Sequence, residues 1–458
     1  MRMWARDHPD LLDPARQLIK EGRLEILNAG LSVHDNACPY FDDIIANYEY
    51  GREFAVNTLG ADPRIGWLID PFGLSLTTIR LYAEMGYDFY FINRIPSTTK
   101  RRLMKHGNAA FNWVFPDRPE YNLLTTVLFD YYTSPGLLMN QWPNTTTIAA
   151  SIFDYHMDMM GVYNSILEHF RLFNTDLAFG DLNIALIPFG DDFWYTNFPA
   201  VILHLDQVVV FSACNNITGR LQGYNFMKSN VTTFFKAMSD RLKAKGKTVA
   251  DLRQKKRGDF FPLVDEPRNF YGDVLGRRES NTDPLREVDD PFPSNTDHFT
   301  WSGYFTTNPY QKKTNKSFGQ LIRSLKTLLA LEVSTGRTNY DSDVQKVVDS
   351  FDQPHQIVGI NIHHDAITGT SKNRIVEDYL QKMVSATIDI HSSIVPYVIS
   401  SSLPDCTSAP SNATLVWPQT ENILPSTAQT YLLLAPLSTA SSILLRGSVE
   451  STVPPSFL

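Results

Sequence analysis

The first two-thirds of the chain alternates short apolar runs with amphipathic segments, and that alternation restricts the possible folds more than any other feature. "RLEILNA" at 23–29 and "IGWLID" at 65–70 read as strands. Phe41, Ile44, Ile45, Tyr48 and Phe54 recur at helical spacing between them. "TTIRLYAEMG" reads as a helix closed by Gly86, "YDFYFINR" as a strand ending near Arg94, and "DLNIALIPFG" at 181–190 as a buried strand that delivers Asp191 and Asp192. Repeated βα units predict a parallel sheet or barrel covered by helices. In such folds catalytic side chains gather at the carboxyl ends of strands, where Asp70, Arg94, Asp191 and Asp192 fall.

Later segments break the pattern. Residues 240–300 are charged and loop-like, as in "RQKKRGDF". Phe318, Leu321, Ile322, Leu325, Leu328 and Leu329 then mark one long helix, and Val376, Leu380, Met383, Val384, Ile394 and Val395 another. Beyond Pro404, Ser, Thr and Pro rise and short apolar runs suggest β structure. The expected organisation is an α/β domain over 1–295, a helical-bundle middle domain over 296–400, and the start of a β domain over 401–458. A length of 458 residues suits several cores.

Composition excludes some partners. A net charge of −8 with no dense Lys/Arg block argues against nucleic acid. Cys38, Cys214 and Cys406 form no CxxC pair, so no thiolate zinc site is predicted. Sequons at Asn144, Asn216, Asn230, Asn315 and Asn412 fit passage through a secretory lumen. No signal peptide is visible at the start, and "YLLLAPLSTASSILL" reads as strands rather than a membrane span.

Three stretches could carry chemistry. In "GWLIDPFGLS" at 66–75, Pro-Phe-Gly stops the strand and presents Asp70 outward; an Asx turn or helix cap is the competing reading. In "PFGDDFWYTN" at 188–197, alternation sends Asp191 and Asp192 to opposite sides, so one of them can face a site, where an acid in apolar surroundings such as Phe193 and Trp194 could stay protonated and donate to a leaving group. Solvated loop acids are the alternative. In "NIHHDAITGTS" at 361–371, two histidines beside Asp365 have metal-binding chemistry if other groups converge on them; otherwise they are surface polar residues.

Together with "WSGYFTTNPYQKK", these stretches resemble, in order and spacing, the class II α-mannosidases of glycoside hydrolase family 38, lysosomal or Golgi in type. The likeness runs from about residue 15 to 395 and includes "LIKEGRLEILNAG" and "GDFFPLVDEP". It implies a barrel-like α/β catalytic domain, a helical bundle and β-sandwich domains. It also implies zinc-dependent retaining hydrolysis of α-linked mannose. On the resemblance, Asp70 is both nucleophile and zinc ligand, His364 is a zinc ligand, and Asp192 is the general acid/base with Asp191 beside it. Asp365 would bond the sugar, Trp301 would stack on it, and Arg94 and Tyr132 would be polar contacts near the nucleophile. His363 would pack or orient its neighbour. The expected substrate is a mannose-containing glycan, and the expected compartment is the secretory lumen, lysosome or Golgi.

The chain is read as truncated at both ends relative to the family. Two of the four family zinc ligands, from a His-Asn-Asp segment, are absent from it; His34 and Asp35 in "SVHDNA" have suitable chemistry but align with a loop of another role. Leu74 replaces a family histidine. Two alternatives therefore stand beside the mannosidase: a relative that binds mannosides without turnover, and a metal hydrolase of another substrate class such as a deacetylase.

Overall fold

The computed structural model describes residues 1–128, isolated positions between 182 and 209, and residues 227–255, 258–265, 299–336, 339–395 and 397–398. These fall into two compact units. One comprises Met1–Pro309 with Gly359–Ser371; the other comprises Tyr310–Val358 and the chain from Lys372 onward.

The first unit opens with helices α1 (Arg2–Asp7), α2 (Leu12–Lys20) and α3 (Phe41–Glu53). The expected βα alternation then appears as β1 (Ile65–Leu68), α4 (Leu76–Glu84) and β2 (Phe89–Ile92). Ser75 caps α4 by accepting from the Thr77 amide at 3.2 Å, and Gly86 ends it at φ 81°, a left-handed conformation suited to glycine. Helix α5 (Ser97–Lys105) and strands β3 (Ala110–Val114), β4 (Asn122–Val127) and β5 (Gln254–Lys255) follow, with α6 (Val231–Ala244) before β5.

The sheet order is β1-β2-β4-β3-β5. Strands β1, β2 and β4 are parallel, as the repeated βα units require, while β3 is antiparallel to β4. The link from β3 to β4 is too short for a crossover helix, so the two form a hairpin. Tyr90, Phe91, Phe111 and Trp113 fill the core, and Phe235 of α6 stacks on Phe89 with ring centroids 4.2 Å apart. Gly66 lies under Tyr82, where any Cβ would overlap the ring. A second, two-stranded sheet pairs β6 (Val264–Asp265) with β7 (Phe299–Thr300).

Residues 23–29 are not the strand expected. Only the Asn28 amide reaches β1, donating to the Ile65 carbonyl at 2.9 Å, and Asn28 and Ala29 turn away at φ 62° and 53°. Asparagine tolerates this conformation better than most residues. Its side-chain Oδ1 then substitutes for a missing strand, accepting from the Trp67 amide at 3.3 Å and from the hydroxyls of Tyr82 and Tyr48 at 2.5 and 3.1 Å. Glu25 in the same segment accepts from the Val231 and Thr232 amides at 3.0 and 3.1 Å, placing its charge at the N-terminus of α6.

The second unit is helical. Helix α7 (Pro309–Ser334) buries Phe318, Leu321, Ile322, Leu325 and Leu329, the stripe expected from spacing. Helices α8 (Ser342–Asp349), α9 (Asp352–Asn361) and α10 (Asn373–Asp389) follow, although the end of α9 from Gly359 belongs to the first unit. Asn315 lies inside α7 at 1 % exposure, and the amide of Asn230 already donates to the Gly22 carbonyl at 2.9 Å. Neither sequon offers a free asparagine in the folded chain; the other three lie outside the described residues. Among the described residues no helix is long and apolar enough to cross a membrane. Of residues 181–190, expected as a strand, only Leu182, Ile184, Leu186 and Pro188 are described and none of them is in a strand; the β region from 401 lies outside the described residues.

Candidate active site

Asp70 stands two residues beyond the carboxyl end of β1, where Pro71 and Gly73 (φ 99°) turn the chain. Parallel neighbour β2 ends the same way and delivers Arg94. Arg94 Nε and Nη2 lie 2.6 and 2.5 Å from Asp70 Oδ1, a two-armed contact by one guanidinium. The guanidinium carbon also lies 5.4 Å above the Phe72 ring and 5.3 Å above that of Trp301, which restricts where it can go. The β6–β7 pairing brings Trp301 here, and its amide donates to the Leu263 carbonyl at 3.0 Å. Trp301 packs on Phe72 with centroids 4.9 Å apart, and Tyr304 supports the turn by donating to the Phe72 carbonyl at 2.8 Å.

The other oxygen of Asp70 meets a residue 294 positions away: His364 Nε2 lies 3.0 Å from Asp70 Oδ2. The segment 359–371 reaches the site because it docks on residues 32–35. His34 and His363 form an antiparallel bridge, the Asp35 amide donates to the Ile362 carbonyl at 2.9 Å, and Ser32 Oγ donates to the Gly359 carbonyl at 2.5 Å. The Val33 carbonyl collects Nδ1 of both His363 and His364, at 3.0 and 2.9 Å. Gly369, at φ 80°, lets the chain fold back so that Thr370 Oγ1 donates to Asp365 Oδ1 at 2.8 Å.

These contacts set the charges. Burial works to raise the Asp70 carboxyl, but the His364 hydrogen bond and the Arg94 charge together outweigh it, and Asp70 is held below its ordinary pKa. Burial works to lower His364, and the Asp70 hydrogen bond with the Val33 carbonyl reverses that, so its pKa is raised. The two shifts agree: an aspartate and an imidazolium stabilise each other. The His363 contact brings Asp365 down to about 2 against the effect of burial.

Behind the site, His34 is fully buried and pushed down to about 3 by burial and the His364 charge. Its Nδ1 lies 3.0 Å from the Tyr48 hydroxyl, which continues to Tyr82 at 2.6 Å, while Nε2 has no partner among the described residues. Asp35 is equally buried; its Oδ2 accepts from the Ala37 and Cys38 amides at 3.0 and 2.7 Å.

The structure therefore brings together Asp70, Arg94, Trp301, His364 and Asp365. Asp192 is an exposed turn residue, and Asp191 and Tyr132 lie outside the described residues. Phe72, Tyr304 and Thr370 were not picked out from the sequence, although each falls within or beside a quoted motif. The Val33 carbonyl has no sequence signal, because every residue carries such a group.

The donors are of types that can hold a metal ion. His364 has Nδ1 tied to a carbonyl and Nε2 facing a carboxylate, the orientation of a metal-binding imidazole. Ligand atoms of His363, His364 and Asp365 all lie within 4.8 Å of one another.

A largely parallel sheet presenting an arginine-clamped carboxylate beside an imidazole at its strand ends defines a domain of the α/β class. The chain belongs to glycosyl hydrolase family 38. The model of that family's N-terminal domain matches residues 1–266, and an α-mannosidase middle-domain model matches residues 299–394. The chain is 25 % identical over 386 residues to a lysosomal α-mannosidase of Dictyostelium discoideum, covering 83 % of this chain and 33 % of that protein. It is 26 % identical over 414 residues to α-mannosidase 2 of Spodoptera frugiperda, covering 84 % and 33 %. The chain thus spans about a third of the length of the curated relatives it matches. An α-mannosidase structure from Enterococcus faecalis shares the fold at a TM-score of 0.56 and 12 % identity, over 88 % of this chain and 36 % of that one.

Proposed function

We propose that the protein hydrolyses α-linked mannose from N-glycans or glycoprotein-derived oligosaccharides with retention of configuration, in the lumen of the secretory pathway or the lysosome. The observation that carries this reading is the state of Asp70: an ionised carboxylate at a strand end, clamped by Arg94 and bonded to His364. Retaining glycosidases need two carboxyl groups about 5–5.5 Å apart across the scissile bond. Asp70 takes the role of nucleophile, attacking the anomeric carbon as Asp192 gives its proton to the departing oxygen. Asp192 then accepts a proton from the water that cleaves the glycosyl–Asp70 ester.

Arg94 keeps Asp70 deprotonated and aimed, and the Phe72 and Trp301 faces prevent the guanidinium from swinging away. Trp301 offers an aromatic face to a sugar ring, and Asp365, fixed by Thr370, offers acceptors to sugar hydroxyls. Tyr132 and Asp191 are assigned as further polar contacts. Asp70 and His364 would hold the family's zinc ion, which when bound orients and polarises sugar hydroxyls.

Hydrolysis of an aryl α-mannoside tests the proposal. The wild-type chain should turn it over, while Asp70→Asn and Asp192→Asn should each lose at least about a hundredfold in kcat. Turnover that survives either substitution, or mannoside binding without any turnover by the wild type, refutes it.

A further inference from the structure

We propose that His34 and Tyr48 are positioning residues for the reaction: with Asn28 they close a ring of hydrogen bonds that fixes His364 relative to Asp70 from behind the site. The inference rests on the function above only for the role of Asp70 as nucleophile.

The ring passes through both halves of the site. Strand β1 leads into Asp70, and Asn28 holds β1 at two points, donating its amide to the Ile65 carbonyl at 2.9 Å and accepting the Trp67 amide on Oδ1 at 3.3 Å. The same Oδ1 meets the hydroxyls of Tyr82 and Tyr48 at 2.5 and 3.1 Å, and those hydroxyls lie 2.6 Å apart. His34 Nδ1 lies 3.0 Å from the Tyr48 hydroxyl. The backbone of His34 bridges antiparallel to His363, and the adjacent Val33 carbonyl collects the His364 amide at 3.1 Å and His364 Nδ1 at 2.9 Å. His364 Nε2 then returns to Asp70 Oδ2 at 3.0 Å.

The available hydrogens fix the direction of the His34 link. Each tyrosine hydroxyl carries one hydrogen, and the Asn28 oxygen carries none. Tyr82 gives its hydrogen to Asn28, and Tyr48 shares its own between Tyr82 and Asn28, so none remains for His34. His34 Nδ1 therefore bears a hydrogen and donates it to Tyr48. His34, Tyr48 and Tyr82 have no exposed surface, so they meet no substrate and act only through the residues they hold. Packing alone does not call for an imidazole here. His34 Nε2 is buried without a partner among the described residues, a cost that an aliphatic side chain would avoid and that the Nδ1 link offsets.

The test is steady-state hydrolysis of an aryl α-mannoside by the full chain, with kcat and KM separated. Tyr48→Phe and His34→Leu should each lower kcat about tenfold or more and leave KM within about twofold, because neither group meets the sugar. His34→Asn places an amide donor where Nδ1 stood and should recover most of that loss. Tyr90→Phe removes a buried hydroxyl outside the ring of bonds and should leave kcat unchanged. Thermal melts establish that each variant is folded at the assay temperature. Full kcat in folded Tyr48→Phe and His34→Leu sinks this inference alone, as does a His34→Asn variant as slow as His34→Leu. A wild type inert toward mannosides sinks the function, and the ring-carbon resonances of His364 then decide the geometry: shifts in Tyr48→Phe and His34→Leu but not in Tyr90→Phe support it, and unchanged resonances overturn it.

Discussion

Replacing Asp70 by asparagine should move the titration of an imidazole nearly three hundred residues away. In metal-free protein His364 has two opposing influences: burial favours its neutral form, and the Asp70 carboxylate at 3.0 Å favours the charged one. The substituted amide keeps the shape and removes the charge, so burial prevails and the pKa of His364 should fall from above the ordinary value of about 6.5 to below it. The stability consequence depends on pH. Asp70, depressed, contributes above the ordinary carboxylate value near 3.9 and loses its contribution as pH falls through its lowered pKa. His364, raised, contributes fully below about 6.5 and loses its share as pH rises through its raised pKa. The pair is therefore worth most between those limits. Charged hydrogen bonds contribute about 1.5–3 kcal/mol and neutral ones about 0.5–1.5 kcal/mol. Asp70→Asn should cost about 2–3 kcal/mol near pH 6, from both Arg94 and His364, and about 1–2 kcal/mol, from Arg94 alone, once the pH has risen past the raised pKa of His364. Histidine ring-carbon NMR, with His364 assigned by His364→Gln, reads the titration; urea unfolding at the two pH values reads the stability. If His364 titrates at the same pH in both proteins, or the variant loses equal stability at both pH values, the coupling argued from the contact is wrong.

Other expectations concern the fold around the site. Gly66→Ala should destabilise the first unit by about 1–3 kcal/mol, since the added methyl must displace the fully buried Tyr82 ring; denaturant unfolding measures it. Tyr48→Phe should cost about 1–2 kcal/mol, because its hydroxyl joins His34, Tyr82 and Asn28 in a buried network. Trp301→Ala should weaken mannoside binding and also loosen Arg94, so its effect should appear in KM and kcat together rather than in KM alone.

How much of this could be read from residues varies by element. The β1–α4–β2 unit was legible because apolar period, the Ser75 cap and Gly86 all agree, and Pro-Phe-Gly marks where Asp70 leaves the strand. Residues 23–29 misled because Asn28 turns left-handed and lends its amide oxygen to β1, which an alternating apolar pattern does not reveal. The β3–β4 hairpin interrupts an otherwise parallel sheet; Pro116, Asp117 and Pro119 in its loop mark a turn, but turn residues alone do not say that the next strand returns beside the last. Nothing local in "SVHDNA" says that it docks against "NIHHDAITGTS"; only the family likeness placed residues 70 and 364 at one site. Asn315 reads as a sequon, yet the same spacing that makes α7 amphipathic turns it inward.

The thirteen residues from Gly359 to Ser371 lie between helices of the other unit while completing this one. On a ribosome, Asp70 and Arg94 would emerge long before the imidazole that answers them, with the whole of α7 and α8 still to be synthesised. Until residue 371 clears the exit tunnel, the docking surface around Ser32 and Val33 has no occupant, and the nascent first unit carries an unmet carbonyl and a carboxylate bonded on one side only. Chaperone engagement should therefore persist through synthesis of the helical segment, and native structure around Asp70 should appear late, in one step, when the returning loop arrives.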